Sequence, residues 1–158
     1  MNVFTAGDIV EVAIRIEENG VNFYKYAEKI AGKEAEKKLF AQLAQAEVVH
    51  KQTFEKLFAS MEKSSLPESY EGEYGAYLRS YVDNNLIFTK EIMDKQLAKI
   101  KDTNSALDFA IQRELDSILY YHEIKRLVSP SQHETLERII EEERKHFLSL
   151  TDMKKSMA

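Results

Sequence analysis

The stretch Ala13–Tyr24, AIRIEENGVNFY, decides the fold because its chemical pattern occurs twice in the chain. Ala-Ile-x-x-Glu-x-x-x-Val-x-x-Tyr returns 97 residues later in Ala110–Tyr121, AIQRELDSILYY, with Ile in the place of Val. Apolar residues three and four positions apart lie on one face of an α-helix. The lone acids Glu17 and Glu114 interrupt that face at equivalent points. We therefore expect both carboxylates to point into the protein rather than towards water.

A second repeated motif combines an acid with an imidazole. Glu47-x-x-His50 returns 96 residues later as Glu143-x-x-His146. The apolar positions around the two copies match at the same offset: Phe40, Leu43, Phe54 and Leu57 in the first, Leu136, Ile139, Leu150 and Met153 in the second. Any two amphipathic helices can share apolar positions, but that does not explain why Glu and His interrupt both at equivalent points. We infer a duplicated αα-hairpin, with its two halves packed about a pseudo-twofold axis.

The remaining sequence predicts an all-α protein, because it contains only 5 Gly and 2 Pro and long stretches run without either. Two of the four expected long helices lie at about Thr5 to Gly32 and Lys33 to Lys63, and Thr5 with Asp8 can cap the first. The other two run from Thr103 or Asn104 to about Val128 and from Ser129-Pro130 towards the C-terminus. The long connection between the hairpins should contain a turn at Glu71–Gly75 and short helices at Tyr77–Val82 and Glu91–Ile100. The prediction is a four-helix bundle with one crossover.

Length and composition limit the class of protein. The 158 residues fit a single domain, residues 1–158, with a substantial core. A net charge of −5 argues against nucleic-acid binding, and the apolar runs are too short to span a membrane. The first residues lack the layout of a signal peptide, so we expect a cytoplasmic protein. The chain contains no cysteine, which excludes disulfides, thiol catalysis and cysteine-held zinc or iron on it.

The repeated acids and imidazoles form a candidate site for two metal ions. Buried carboxylates need a cation, a proton or strong donors, and two divalent cations would balance four Glu charges. Both His would then be neutral ligands, and residues three apart on a helix can reach the same ion. Mixed carboxylate and imidazole ligation favours iron or manganese, although zinc also fits. The predicted ligands are Glu17, Glu47, His50, Glu114, Glu143 and His146.

These six residues resemble the diiron-carboxylate site of the ferritin-like superfamily. The crossover with its helical pieces, and Phe23-Tyr24 after the first Glu, are more similar to the rubrerythrin branch than to ferritin proper. The resemblance covers nearly the whole chain and implies a ferritin-like bundle that binds two iron ions. It also implies ligand roles: Glu47 and Glu143 bridge the metals, Glu17 and Glu114 are terminal carboxylates, and His50 and His146 bind one metal each.

The chain departs from the rubrerythrin pattern in two ways. Rubrerythrins have a further Glu one turn after the third-helix ligand, where this sequence has Ser117. That difference leaves open the ligand exchange associated with their peroxide chemistry. Rubrerythrins also usually carry a rubredoxin domain with four-cysteine iron, which this cysteine-free sequence is expected to lack.

The resemblance implies a non-haem diiron oxidoreductase that reacts with hydrogen peroxide or dioxygen, or that oxidises ferrous iron. An external donor would supply its electrons, and the family's habit suggests a homodimer. Two other functions stay open: metal storage or sensing in a helical assembly, and a scaffold that keeps the fold without metal.

Other polar and aromatic residues have less specific interpretations. Tyr24 and Tyr121 can hydrogen-bond ligands or carry radicals, although core packing with a satisfied hydroxyl is the commoner role. His122 and His133 have no Glu three residues earlier, so we expect them at surface or boundary positions. Glu141-Glu142 can attract cations, but an exposed acidic face is the commoner role.

Overall fold

The computed structural model describes residues 6–61, 76–77, 80, 90–126 and 128–157. Within these ranges the chain forms helices and turns and no strand. A 3₁₀ turn at Pro130–Gln132 precedes the last helix. The α-helices are α1, Ala6–Ile30; α2, Glu34–Met61; α3, Lys90–Leu97; α4, Thr103–Lys125; and α5, His133–Met157.

The four long helices form two hairpins, α1 with α2 and α4 with α5, and the hairpins pack together through α1 with α4 and α2 with α5. Glu36 at the start of α2 ties the hairpins together at one end. Its Oε2 accepts hydrogen bonds from the backbone N–H of Gly32 (3.1 Å) and Lys33 (3.0 Å) and from the hydroxyl of Thr103 (2.8 Å). The predicted all-α four-helix bundle of two hairpins is confirmed.

The apolar core is divided into two clusters, one on each side of the middle of the bundle. The first is built from the N-terminal halves of α1 and α5 and the C-terminal halves of α2 and α4, and it includes Ile9, Val12, Phe54, Tyr120 and Leu136. The second uses the opposite halves of the same helices and includes Phe23, Phe40, Leu107 and Leu150. Glu and His positions of the repeats lie between the two clusters, at the centre of all four helices.

The helix starts follow local capping chemistry. The carboxylate of Asp102 accepts a hydrogen bond from the backbone N–H of Ser105 at 2.8 Å, so α4 begins at Thr103, as predicted. The last helix differs slightly from the prediction. Ser129 and Pro130 open a 3₁₀ turn in which Gln132 accepts from the backbone N–H of Ser129 at 3.2 Å, and the α-helix begins only at the next residue.

The crossover is described in part. The piece predicted at Glu91–Ile100 is α3, which ends at Leu97, and the hydroxyl of Tyr26 on α1 donates to the carbonyls of Leu97 (3.1 Å) and Ile100 (2.7 Å). Of the piece predicted at Tyr77–Val82, only Tyr77 and Ser80 are described, and both are helical.

Two further predictions fall outside the described residues: Thr5 as the cap of α1 and the turn at Glu71–Gly75. Among the helices that the structure describes, none has the length and apolarity needed to cross a membrane.

Candidate metal centre

The bundle brings all six predicted ligands into one layer between the two apolar clusters. Each long helix contributes, because the repeat places its acid or its Glu-x-x-His pair on the inward face. Five of the six residues are buried, and the sixth, His146, keeps 12% of its side chain exposed. The buried five are Glu17, Glu47, His50, Glu114 and Glu143.

A glycine makes room for one of these carboxylates. Gly20 lies one turn after Glu17 on α1, directly against the side chain of Glu47 on α2. A Cβ atom at this position would lie 3.0 Å from Oε2 and 3.1 Å from Cγ of Glu47, which is closer than ordinary contact. The helix therefore accepts a residue of low helix propensity where a neighbouring ligand approaches its backbone.

The ligand atoms fall into two groups of four that share two members. One group combines Glu17 and His50 with Glu47 and Glu143, and the other combines Glu114 and His146 with the same two acids. Within each group the atoms lie within 4.8 Å of one another. An ion bonded at about 2.1 Å to each ligand separates any two of them by at most roughly 4.2 Å, so only a small inward adjustment is needed.

Both imidazoles turn Nδ1 towards the carboxylates. For His50, Nδ1 lies 2.9 Å from Oε1 of Glu143 and 3.6 Å from Oε2 of Glu17. His146 is arranged similarly, with Nδ1 3.1 Å from Oε2 of Glu143 and 3.5 Å from Oε1 of Glu47. The two rings are stacked with their centroids 5.5 Å apart. Each imidazole therefore presents the same nitrogen to the shared acids.

Burial and the crowding of like charges shift the pKa values of several groups in the cluster. Burial, together with repulsion from neighbouring carboxylates, raises the pKa of Glu17 and of Glu114 well above the usual value. Burial alone would lower the pKa of His50, but the nearby carboxylates of Glu143 and Glu17 raise it to about 12. Burial would raise the pKa of Glu143, but the neighbouring Glu114 and the two imidazoles lower it.

The donor set fits divalent cations. Among the described residues, four buried atoms of the first group make no hydrogen bond: Oε2 of Glu17, Oε1 of Glu47, Nδ1 of His50 and Oε1 of Glu143. The last two are close together but lack hydrogen-bond geometry. A buried polar atom without a partner costs about 1–3 kcal/mol. A cation between these four atoms would contact all of them and remove that cost.

Two tyrosines hold the lone glutamates from across the bundle. The hydroxyl of Tyr24 on α1 donates to Oε1 of Glu114 on α4, and the hydroxyl of Tyr121 on α4 donates to Oε1 of Glu17 on α1. Burial and then the charge of the accepting Glu raise the pKa of both tyrosines, so they remain protonated donors. Both tyrosines are core residues with satisfied hydroxyls, and the groups that satisfy them are the candidate ligands.

One contact was missed by the sequence analysis. Nε2 of His50 lies 2.7 Å from Oε2 of Glu142, an acid that the sequence assigned to an exposed face. The side chain of Glu142 is 51% exposed, so its outer part is on the surface while one oxygen reaches the buried ring. His122 is exposed and His133 is partly buried, and both lie outside the cluster as predicted.

A cavity of about 40 Å³ lies beside the second group of ligands. Glu47 and Glu114 form part of its wall, and Ser117 and Gly20 lie next to them. The remaining wall is mostly apolar and is formed by Ile16, Phe23, Met93 and Phe109, with Tyr24, Asn19 and Arg113. Met93 belongs to α3, so the crossover helix forms part of the cavity wall together with residues of α1 and α4.

Comparison with known proteins identifies the family of this chain. The family model described as Rubrerythrin matches residues 8–146. A crystal structure from Thermotoga maritima, of a protein described as a candidate ferritin-like diiron-carboxylate protein, matches with a TM-score of 0.69 and 28% sequence identity. That match covers 100% of this chain and 99% of the other. None of the curated proteins matches the chain. The fold of this chain and its buried Glu and His cluster agree with the family match. The chain belongs to the rubrerythrin family.

Proposed function

We propose that this protein binds two iron ions in the Glu and His cluster and is an oxidoreductase that reacts with hydrogen peroxide or dioxygen. The observation that carries the proposal is the pair of four-ligand groups that share Glu47 and Glu143. Shared acids support a bridging role for these two residues. Each group then adds one lone acid as a terminal ligand and one imidazole.

Charge supports two divalent cations. Four carboxylates carry four negative charges, and neutral imidazoles add none, so two divalent ions balance the layer. Manganese and zinc would satisfy the same donors, but zinc has no redox chemistry of its own. Two ferrous ions held by these residues would each supply one electron, and two electrons with two protons reduce one hydrogen peroxide molecule to two water molecules. We propose that an external donor restores those electrons.

The residues around the layer hold the ligands and limit access of water. Tyr24 and Tyr121 orient the lone glutamates, because each donates to one carboxylate oxygen. The other oxygen lies 3.6 Å from Nδ1 of His50 in Glu17 and 3.7 Å from Nδ1 of His146 in Glu114. The two apolar clusters cover the layer from both ends of the bundle. Among the described residues, the cavity beside Glu47 and Glu114 is open space that reaches the layer, and we propose it as the route for the oxidant.

The volume of the cavity supports a small oxidant. A water molecule needs roughly 10–15 Å³ of such space. A cavity of about 40 Å³ therefore has room for about three water-sized molecules, which suits hydrogen peroxide or dioxygen.

Mixing the iron-loaded protein with peroxide tests the function. Protein loaded anaerobically with ferrous iron should change its absorbance and consume peroxide, and metal-free protein should do neither. Unchanged absorbance together with no loss of peroxide would defeat the oxidoreductase proposal. The same mixture with dioxygen in place of peroxide shows which oxidant reacts faster.

Filling the cavity tests the route. S117L places an apolar side chain in the wall of the cavity, one turn from Glu114, and S117A is its matched control because it adds no volume. We expect S117L to keep two iron ions per chain and to react much more slowly with peroxide, while S117A reacts at the rate of the original protein. Equal rates for S117L and S117A would exclude the cavity as the route.

A further inference from the structure

The two proposed metal positions have different outer partners. His50 has a carboxylate behind it, because its Nε2 lies 2.7 Å from Oε2 of Glu142. Glu142 precedes Glu143, and the equivalent position in the other half of the repeat, just before Glu47, is Ala46. The repeat therefore gives His146 no carboxylate at the matching place.

The contact with Glu142 determines which nitrogen of His50 is available to a metal. Nδ1 faces the acids of the cluster, 2.9 Å from Glu143, so Nε2 is the nitrogen that carries the proton when Nδ1 binds an ion. Nε2–H then donates to Glu142. A partner of this kind fixes the tautomer and orientation of the ring and increases its basicity as a ligand.

The two positions also differ in their exposure to solvent and to open space. The side chain of His50 is 2% exposed, while that of His146 is 12% exposed. The cavity touches Glu114 of the second position, and neither Glu17 nor His50 of the first position lines it. One position is thus enclosed and supported from behind, and the other borders open space.

We propose that Glu142 is a positioning residue for His50 and that it makes the two metal positions unequal. The position formed with Glu17 and His50 retains its ion, and the position formed with Glu114 and His146, next to the cavity, exchanges its ion more readily. This inference rests on the proposed function, because it assumes that the cluster binds two metal ions.

Release of zinc tests the inference without any redox reaction. Protein loaded with two zinc ions is mixed with an excess of a chromophoric chelator, and absorbance follows the release. We expect two phases of one zinc ion per chain each. Loss of a partner that supports a ligand typically weakens metal binding by about tenfold to a hundredfold. E142A should therefore accelerate the slow phase by about that factor and leave the fast phase unchanged.

Three further variants separate support of the ring from a general effect of charge. E142Q keeps an acceptor oxygen with the same reach, so its slow phase should fall between those of the original protein and E142A. E141A removes the neighbouring acid, which is also half exposed and pairs with Arg144, and should change neither phase. A46E adds the missing acid to the other half of the repeat and should slow the fast phase. Circular dichroism of each metal-free variant confirms that the bundle is intact.

The outcomes distinguish this inference from the proposed function. An original protein that binds no zinc and no iron overturns the metal site itself. An original protein that binds two zinc ions but releases them at one rate overturns only the inequality. Unchanged release in E142A, or an equal acceleration in E141A, overturns the role of Glu142.

Discussion

Raising the pH should destabilise the metal-free protein, because the cluster then loses the protons that occupy it in place of metal. The pKa of Glu17 and of Glu114 is raised well above 4.5 by burial and then by neighbouring carboxylates. For an acid with a raised native pKa, the native state holds more protons than the unfolded state. Its contribution to stability is therefore complete below the unfolded pKa and is lost as the pH rises towards the native pKa.

His50 acts in the same direction near neutral pH. Its native pKa is raised to about 12 in spite of burial, because the carboxylates of Glu143 and Glu17 lie close to its ring. The stability that it contributes is complete below the unfolded value of 6.5 and is lost as the pH rises through the native value. The pKa of Glu143 is lowered, so its own contribution is lost only in acid, as the pH falls below the unfolded value of 4.5. It does not offset the others above neutral pH.

The size of the effect follows from the number of protons. Each proton that the native state holds in excess of the unfolded state changes the free energy of unfolding by about 1.4 kcal/mol per pH unit. In a protein of this size, a change of 1 kcal/mol shifts the Tm by about 2–4 °C. If the native state holds one excess proton throughout this range, raising the pH from about 6.5 to 8.5 therefore lowers the Tm by roughly 5–11 °C. A second excess proton doubles this shift.

Thermal unfolding followed by circular dichroism measures this slope on chelator-treated protein. The E17Q/E114Q double variant is the matched control, because its amides do not titrate, and its Tm should depend less steeply on pH. Saturation with metal should flatten the slope as well, since the ions replace the protons. A Tm of the metal-free original protein that stays constant or rises over this range would refute the reasoning.

Two substitutions test individual contacts. G20A should leave the free energy of unfolding of the metal-free protein within about 1 kcal/mol of the original value, because higher helix propensity offsets the crowding of Glu47. It should nevertheless reduce the rise in Tm on metal addition. An unchanged metal-induced rise would show that Gly20 has no role in admitting the ligand. Y121F removes the hydrogen-bond donor to Glu17. Because a hydrogen bond to a charged group contributes roughly 1.5 kcal/mol, metal binding measured by calorimetric titration should weaken by about tenfold. Y120F, whose hydroxyl donates to a backbone carbonyl instead, should leave the affinity unchanged, and equal losses in Y120F and Y121F would contradict a positioning role.

The sequence predicts the bundle and places the six candidate ligands because both follow from periodicity. An acid that interrupts an apolar stripe at helical spacing must face the core, and the repeat places an equivalent acid in the core from each half of the chain. The helix start at Thr103 was predictable for the same kind of local reason, since its cap is formed by neighbours in sequence. The 3₁₀ turn before α5 was not, because Pro at the first helical position is compatible with either kind of helix.

Contacts between helices at the edge of the site could not be predicted. Glu142 precedes the buried Glu143 and lies at the edge of the buried face of α5. The rotation of α5 relative to α2 determines whether an acid at this edge reaches His50 or solvent. Gly20 illustrates the same limit. In the sequence, Gly20 is only a residue of low helix propensity. Its role is seen in the structure, where the side chain of Glu47 lies against it.

Iron content per chain tests the central claim most directly. The protein is incubated anaerobically with ferrous iron, desalted and analysed for metal, and we predict two iron ions per chain. The E47A/E143A double variant, which lacks both shared acids, should retain none at stoichiometric level, while E141A retains two. Two iron ions in the double variant, or none in the original protein, would contradict the assignment of this cluster as a dinuclear metal site.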